Sequence, residues 1–289
     1  MEEKSSAKYR IGVVGSGTMG SSLVELFALS GAVSSVSWVS RNLASVEVKK
    51  TELIQKWKRL NNRGKISAHS YESGRDKIRV CDAISDLQNQ DVIVEAISEN
   101  YEQKKRVFRQ FRDIEESCGL FASNTSALSI TGLSQVINRS DIVVGLHFFN
   151  PAPIMELTEV VVGLETSKEA VDRASSLSEA LGKNPVVVNE APGFIVNRML
   201  IPMINEAITI ASEGVASKGD IDKAMMLGAN HPIGPLKLAD LIGLDVVLSI
   251  MKTLYEETND SKYRAHWMLR KMVRAGHLGK KAGVGFYKY

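Results

Sequence analysis

The amino-acid sequence predicts a doubly wound, mostly parallel α/β sheet followed by an all-α domain. In the first part of the chain, short apolar runs alternate with helical patterns, which is typical of a parallel sheet covered by helices. Beyond Asn189, apolar residues recur only at the three- and four-residue steps of helices. A length of 289 residues is enough for two modest domains. We therefore predict a domain over residues 1–187 and a helical domain over residues 188–289.

Each predicted element has its own local signal. Eight short apolar or β-branched runs predict strands at residues 11–14, 36–39, 78–80, 91–97, 120–122, 142–146, 155–162 and 185–188. Between them, helical spacing of apolar residues predicts helices at 23–29, 43–60, 101–116 and 167–181. The second part carries four such patterns, at 194–211, 221–227, 243–255 and 264–275, and then a Gly-rich aromatic tail at 279–289.

Composition excludes several classes of protein. The formal net charge is only +3, which argues against nucleic acid as a partner. The sequence contains no stretch of 18 apolar residues, so we expect no membrane-spanning helix. The first ten residues are charged and show no secretory signal. The two cysteines, Cys81 and Cys118, lack metal-ligand spacing and are expected to be reduced thiols of a cytoplasmic protein without a bound metal.

A glycine motif, GSGTMG, follows the first predicted strand and begins the first helix. In this context the first glycine permits a tight turn, the second admits a pyrophosphate, and the third lets helix and strand pack closely. The N-terminus of the helix adds N–H groups and a positive dipole end for the anion. The motif predicts a Rossmann-type dinucleotide-binding domain, with a cofactor site that includes Gly15, Ser16, Gly17, Thr18, Met19 and Gly20.

The end of the second strand predicts which dinucleotide binds. In NAD-binding folds a carboxylate at this point takes the ribose hydroxyls. No carboxylate lies between Val36 and Val46, and the strand ends at Ser40 and Arg41. A serine can donate a hydrogen bond to a 2′-phosphate and an arginine can pair with it. The sequence therefore favours NADP(H), with NAD(H) as the alternative.

Several further motifs occur in a fixed order: SNTSAL at 123–128, GLHFFNPAP at 145–153, LTEV at 157–160, PGFIVNR at 192–198, HPIGP at 231–235 and the terminal GFY. Together with the glycine motif they resemble the short-chain L-3-hydroxyacyl-CoA dehydrogenase family, and most of all its bacterial 3-hydroxybutyryl-CoA dehydrogenases. The resemblance extends over residues 10–289. It implies a reversible, nicotinamide-dependent oxidation of a 3-hydroxyacyl-CoA to a 3-oxoacyl-CoA.

The resemblance also implies roles for individual residues. Oxidation of a secondary alcohol needs a base, and His147 is that base because imidazole exchanges protons near neutral pH. Glu159 is its orienting carboxylate, on the next predicted strand. Ser126 and Asn197 are implied to bind the 3-oxygen of the substrate. Further cofactor contacts are implied at Glu99, Lys104, Asn150 and Lys281.

The same family dimerises through its helical domain and binds CoA beneath an arm formed by the helix that begins at Leu43 and by the next helix. Lysines and arginines are frequent in that helix and suit the phosphates of CoA, although the sequence does not distinguish among them. Two apolar stripes are compatible with a homodimer or with the core of the helical domain: Met199, Met203 and Ile210, and Val246, Ile250 and Leu254.

Two alternatives stay open at this point. The first is a related hydroxyacid or sugar-acid dehydrogenase that uses no CoA, similar to L-gulonate dehydrogenase. The second is a non-catalytic dinucleotide-binding protein, which would not need Ser126, His147, Glu159 and Asn197 together.

Overall fold

The computed structural model describes residues 8–289, and the chain divides into two compact units. One unit contains the chain up to Thr125 together with Ser129–Glu190, and the other contains Ser126–Leu128 together with Ala191–Tyr289. The division predicted after residue 187 falls inside the last strand of the sheet. The units divide after Glu190 because that strand pairs with its neighbour as far as Asn189.

The first unit is built on one eight-stranded sheet with the order β3-β2-β1-β4-β5-β6-β7-β8. All neighbouring strands are parallel except β6 and β7. The prediction of a doubly wound, mostly parallel sheet is therefore confirmed. The strands are β1 Tyr9–Val14, β2 Val33–Val39, β3 Ile78–Cys81, β4 Val92–Glu95, β5 Phe121–Ser123, β6 Val143–Phe148, β7 Leu157–Val162 and β8 Asn184–Asn189.

Helices connect these strands: α1 Thr18–Leu29, α2 Leu43–Asn62, α3 Ala68–Lys77, α4 Tyr101–Phe111, α5 Ile130–Ser134 and α6 Lys168–Ala180. The family resemblance implied a helix after α2, but the residue pattern did not predict α3, because this helix buries only Gly74 and so has no apolar periodicity. A Cβ on Gly74 would lie 3.0 Å from a methyl group of Leu29, so the absence of a side chain allows α3 to pack closely on α1.

Two tryptophans in the core of this unit have their indole N–H groups hydrogen-bonded. Trp38 and Trp57 are fully buried. The indole N–H of Trp38 donates to the carbonyl of Gly15 at 2.7 Å, which fixes the glycine turn against β2. The indole N–H of Trp57 donates to Glu25 at 3.1 Å and so joins α2 to α1. Each of these two buried indole N–H groups thus has the hydrogen-bond partner that burial requires.

The second unit is helical, as predicted, with α7 Val196–Ser212, α8 Lys218–Gly228, α9 Pro235–Ile242, α10 Leu244–Thr258 and α11 Trp267–Arg274. Its core is formed by apolar side chains of all five helices. Of the predicted stripes, Ile250 and Leu254 belong to this core, whereas Met199 is 72% exposed and Val246 is 40% exposed. Helix α9, which begins with Pro235 and is eight residues long, was not predicted.

Two buried aspartates fasten the C-terminal tail to this helical unit. The backbone N–H groups of Phe286 and Tyr287 donate to the carboxylate of Asp240, both at 2.9 Å. The hydroxyl of Tyr287 donates to Asp222 at 2.7 Å.

Between residues 8 and 289, no helix combines the length and the apolar character that crossing a bilayer requires.

Candidate active site

The glycine turn between β1 and α1 has the geometry that its sequence predicts. Gly15 has a φ of +124°, and a Cβ there would clash with the carbonyl oxygen of Ala96. A Cβ on Gly20 would clash with the carbonyl oxygen of Gly15, whereas a Cβ on Gly17 would meet nothing within 4 Å. The first and third glycines therefore permit the turn and the packing of the helix, and the second leaves its surface open to a ligand.

A cleft of about 730 Å³ lies at this turn. Its volume is in the range of small-molecule sites. Gly17 caps α1 without a side-chain hydrogen bond, so the positive end of the helix meets the cleft directly. The lining continues along the carboxyl ends of β1, β2 and β4, where parallel sheets of this type bind dinucleotides. The residues present therefore fit a dinucleotide.

The end of β2 forms one part of the lining, with Ser40 and Arg41. The hydroxyl of Ser16 donates to the hydroxyl of Ser40 at 3.0 Å, which ties the glycine turn to the end of β2. Arg41 is exposed, and its guanidinium makes no ion pair with a carboxylate in the part of the chain that the structure describes. Two charged residues that sequence reasoning missed, Asp82 and Arg106, line the same cleft.

A buried cluster of charges holds the ends of β4 and β5 together. Glu95 is fully buried, and its two oxygens lie 2.7 and 3.0 Å from the ammonium of Lys104. The same carboxylate accepts hydrogen bonds from the hydroxyl of Ser123 at 2.6 Å and from the N–H of Ile97 at 2.7 Å. Sequence reasoning missed Glu95, although an acid inside an apolar strand is itself a signal because a buried charge requires a partner.

Two of the predicted cofactor contacts belong to this cluster. Lys104 is only 1% exposed, and its ammonium lies 3.4 Å from Glu99 in addition to its contacts with Glu95. Glu99 accepts a hydrogen bond from the hydroxyl of Thr125 at 2.7 Å. Both residues therefore have structural partners at the carboxyl edge of the sheet, and their contact with a cofactor stays a prediction.

His147 and Glu159 form the most distinctive pair in the first unit. They lie directly opposite each other on the antiparallel strands β6 and β7. Nδ1 of the imidazole is 2.6 Å from Oε2 of the carboxylate, and the two residues are 6% and 1% exposed. A carboxylate in this position accepts a hydrogen bond from Nδ1–H, fixes the tautomer and stabilises a positive charge on the ring.

The residues around the imidazole are also held in place. The ring of Phe149 lies 4.4 Å from the ring of His147, centroid to centroid. The side-chain oxygen of Asn124, just after β5, accepts the N–H of Phe148 at 2.9 Å. Asn150, a predicted cofactor contact, is exposed and precedes a cis peptide bond to Pro151.

The other predicted substrate residues lie in the helical unit. The side-chain amide of Asn197, at the start of α7, donates to the backbone carbonyl of Ser126 at 3.3 Å. This contact joins residues that are 71 positions apart in the sequence, and it belongs to the unit that takes up Ser126–Leu128. Lys281, a predicted cofactor contact, forms an ion pair with Asp245 at 2.6 Å.

The geometry thus contains a glycine-lined dinucleotide cleft, a buried acid–histidine pair and a serine–asparagine contact. Among residues 8–289, no group of three or more histidine, cysteine, aspartate and glutamate side chains is arranged to hold a metal ion.

Comparison with known proteins adds two family models. Residues 10–191 match the model described as "3-hydroxyacyl-CoA dehydrogenase, NAD binding domain", and residues 193–289 match "3-hydroxyacyl-CoA dehydrogenase, C-terminal domain". The two matches together cover almost all of the described chain.

Individual relatives are similar over nearly the whole chain or over a large part of it. The 3-hydroxybutyryl-CoA dehydrogenase of Clostridioides difficile is 46% identical over 97% of this chain and 99% of its own. The human mitochondrial hydroxyacyl-coenzyme A dehydrogenase is 43% identical over 72% of this chain and 67% of its own. The crystal structure of the (S)-3-hydroxybutyryl-CoA dehydrogenase PaaH1 from Ralstonia eutropha matches with a TM-score of 0.89 and 42% identity, over 98% of this chain and 99% of that one.

Proposed function

Because the chain belongs to the 3-hydroxyacyl-CoA dehydrogenase family, we propose that it interconverts (S)-3-hydroxybutyryl-CoA and acetoacetyl-CoA by hydride transfer with a nicotinamide cofactor. The family is the one that the sequence motifs predicted. The observation that carries the proposal is the buried pair of His147 and Glu159, joined at 2.6 Å. Such a pair provides the proton exchange that alcohol oxidation needs.

The contact between His147 and Glu159 indicates which imidazole nitrogen exchanges a proton with the substrate. Glu159 accepts from Nδ1–H, so Nε2 of His147 takes the proton of the 3-hydroxyl during oxidation and returns it to the 3-oxo group during reduction. A bound nicotinamide would supply the hydride chemistry at the substrate carbon that bears the 3-oxygen. Glu159 is buried, and its charge therefore stabilises the imidazolium more strongly than an exposed carboxylate would.

Ser126 and Asn197 are proposed to bind the 3-oxygen. A hydroxyl and an amide can both donate hydrogen bonds to an oxygen that changes from alcohol to ketone. The contact between the Asn197 amide and the Ser126 carbonyl supports a shared role, because it ties the positions of the two residues.

NADP(H) is the proposed cofactor. Ser40 and Arg41 line the dinucleotide cleft at the end of β2, where NAD-binding folds place a carboxylate. The opposing observation is Asp82, just after β3, which lines the same cleft and could accept ribose hydrogen bonds in an NAD(H) enzyme. The further proposed cofactor contacts are Glu99, Lys104, Asn150 and Lys281.

The remaining proposals concern the setting of the reaction. The exposed apolar side chains of Met199 and Val246, on α7 and α10, support a homodimer formed through the helical unit. Both cysteines are free and buried, which agrees with a reducing, cytoplasmic environment.

The test of the proposed function is a spectrophotometric assay of acetoacetyl-CoA reduction, with NADPH and NADH in parallel and free acetoacetate as the control substrate. We expect rapid oxidation of the reduced cofactor with the CoA ester and little with the free acid. In the oxidative direction, with NADP⁺ or NAD⁺ as the hydride acceptor, turnover of a free hydroxyacid or sugar acid at a comparable rate would favour the dehydrogenases that use no CoA. Cofactor binding without turnover of any of these substrates would favour a non-catalytic binding protein.

A further inference from the structure

Besides Arg41 at the end of β2, a second basic residue lines the dinucleotide cleft. Arg106 lies on α4 and is exposed, and it lines the same cleft as Ser40 and Arg41. Its guanidinium makes no ion pair with a carboxylate in the described part of the chain. An unpaired cation in a cleft for an anionic ligand is available to that ligand.

One face of α4 is turned to the cleft. Gln103, Arg106, Val107 and Gln110 all line it, at the three- and four-residue steps that place side chains on one side of a helix. Arg109, on the same helix and also exposed, is not part of the lining. The position of Arg106 is therefore a property of this face and not of arginines on α4 in general.

The lining near β2 and β3 identifies the half of the dinucleotide that Arg106 would meet. The end of β2 receives the adenosine ribose in folds of this type. Ala83 and Ile84, just after β3, contribute apolar surface to the same lining, and Val107 contributes apolar surface from α4. These side chains suit an adenine ring, and because Arg106 precedes Val107 on α4 and lines the same cleft, we assign it to the adenosine end.

We propose that Arg106 is a specificity-determining residue for the cofactor, whose guanidinium binds the 2′-phosphate of NADP(H) from α4 while Arg41 binds it from the end of β2. This inference rests on the proposed preference for NADP(H). A 2′-phosphate carries nearly two negative charges and three acceptor oxygens, which is enough for two guanidinium partners.

Asp82 provides a variant whose expected effect on NADPH affinity is opposite to that of an Arg106 variant. It is the one carboxylate in the cleft lining, and the lining also contains Arg41 and Arg106. If a 2′-phosphate binds among these three charges, removing Arg106 weakens binding of NADPH and removing the charge of Asp82 strengthens it. Neither change alters binding of NADH to the same extent, because NADH has no phosphate at that position.

The experiment is calorimetric titration of the purified protein with NADPH and with NADH, for the native chain and for Arg106→Gln, Asp82→Asn and the control Arg109→Gln. We expect Arg106→Gln to weaken NADPH binding by about three- to tenfold, as for an exposed charge-assisted contact, and to leave NADH binding nearly unchanged. The difference should shrink as salt is raised, because the charges are exposed. Arg109→Gln should change neither affinity.

The outcomes separate this inference from the proposed cofactor preference. If the native protein does not bind NADPH more tightly than NADH, the preference itself is wrong and the inference falls with it. If the native protein prefers NADPH but Arg106→Gln weakens binding of both cofactors equally, Arg106 contacts a part that the two cofactors share and the inference alone is wrong. An unchanged NADPH affinity in Arg106→Gln contradicts the inference in the same way.

Discussion

Glu159 lies directly opposite His147 across the one antiparallel strand pair of the sheet, with its Oε2 atom 2.6 Å from Nδ1 of the imidazole. The two strands fix the distance between the residues through backbone pairing, and not only through side-chain packing. Both side chains are buried, so water does not compete for the hydrogen bond between them. The pair is therefore preorganised to hold a proton and its countercharge.

Replacing Glu159 by glutamine should preserve the fold and remove the countercharge of the imidazolium. We expect Glu159→Gln to lower kcat by about 10²-fold or more, with nearly unchanged affinity for the cofactor. The measurement is steady-state kinetics together with cofactor titration. Glu156→Gln, at an exposed glutamate just before β7, is the control. Unaltered turnover in Glu159→Gln would show that the carboxylate has no part in proton exchange.

Exchange of the residues at the end of β2 should reverse the cofactor preference. A charge-assisted hydrogen bond contributes about 1.5–3 kcal/mol, so Ser40 and Arg41 should favour NADP(H) by about tenfold to a few hundredfold. In Ser40→Asp/Arg41→Gln the new carboxylate repels the 2′-phosphate and accepts ribose hydrogen bonds. The measurement is kcat/KM for NADPH and NADH at fixed salt, with the exposed Arg79→Gln on β3 as the control. A clear preference of the native protein for NADH would disprove this interpretation and would direct attention to Asp82.

Removal of the buried cation at Lys104 should destabilise the protein strongly. Lys104→Met leaves Glu95 buried without its partner, which costs about 3–5 kcal/mol of the free energy of unfolding. The double variant Glu95→Gln/Lys104→Met should recover most of that loss, because no charge is then left without a partner. Urea unfolding measures both, with Lys105→Met as the control. A loss below about 1 kcal/mol in Lys104→Met would mean that water reaches Glu95.

The tail of the helical unit should loosen at high pH. Burial and the carboxylate of Asp222 raise the pKa of Tyr287, and burial and Asp240 raise the pKa of Tyr289 to about 12. An unfolded tyrosine titrates near pH 10, so the stabilisation is complete below about pH 10 and is lost as the pH rises toward the folded-state value.

Urea unfolding between about pH 9 and pH 11 tests this linkage. Tyr287→Phe should be less stable than the native protein at pH 9 and should lose less stability as the pH rises. Tyr255→Phe, at an exposed tyrosine of α10, should behave as the native protein does. Equal losses with pH in Tyr287→Phe and the native protein would rule out this source of alkaline instability.

The strands and the glycine turn could be predicted because their signals are local. Each strand is a short apolar run, and the glycines of the turn have close backbone neighbours that allow no side chain. The placement of His147 beside Glu159 also followed from two successive strands. In contrast, the residue pattern did not predict α3, because this helix is polar almost throughout and packs through Gly74.

The charged clusters could not be predicted from local patterns. Glu95, Lys104 and Ser123 lie on three different elements, and only the parallel pairing of β4 and β5 brings two of them to one edge. Arg106 resembles any solvated arginine on a helix until the cleft shows which face of α4 it occupies. Contacts of this kind depend on tertiary structure, which a single sequence shows only indirectly.

The most direct test of the account is the turnover of His147→Gln with acetoacetyl-CoA and NADPH, measured together with the affinity for NADPH. We expect kcat to fall by about 10²–10⁴-fold, because the proton then has no positioned acceptor or donor, while NADPH binding stays close to that of the native protein. His277→Gln, at an exposed histidine of the helical unit, should retain native turnover. A His147→Gln variant that folds, binds NADPH and reduces acetoacetyl-CoA at nearly the native rate would show that His147 is not the general acid and base.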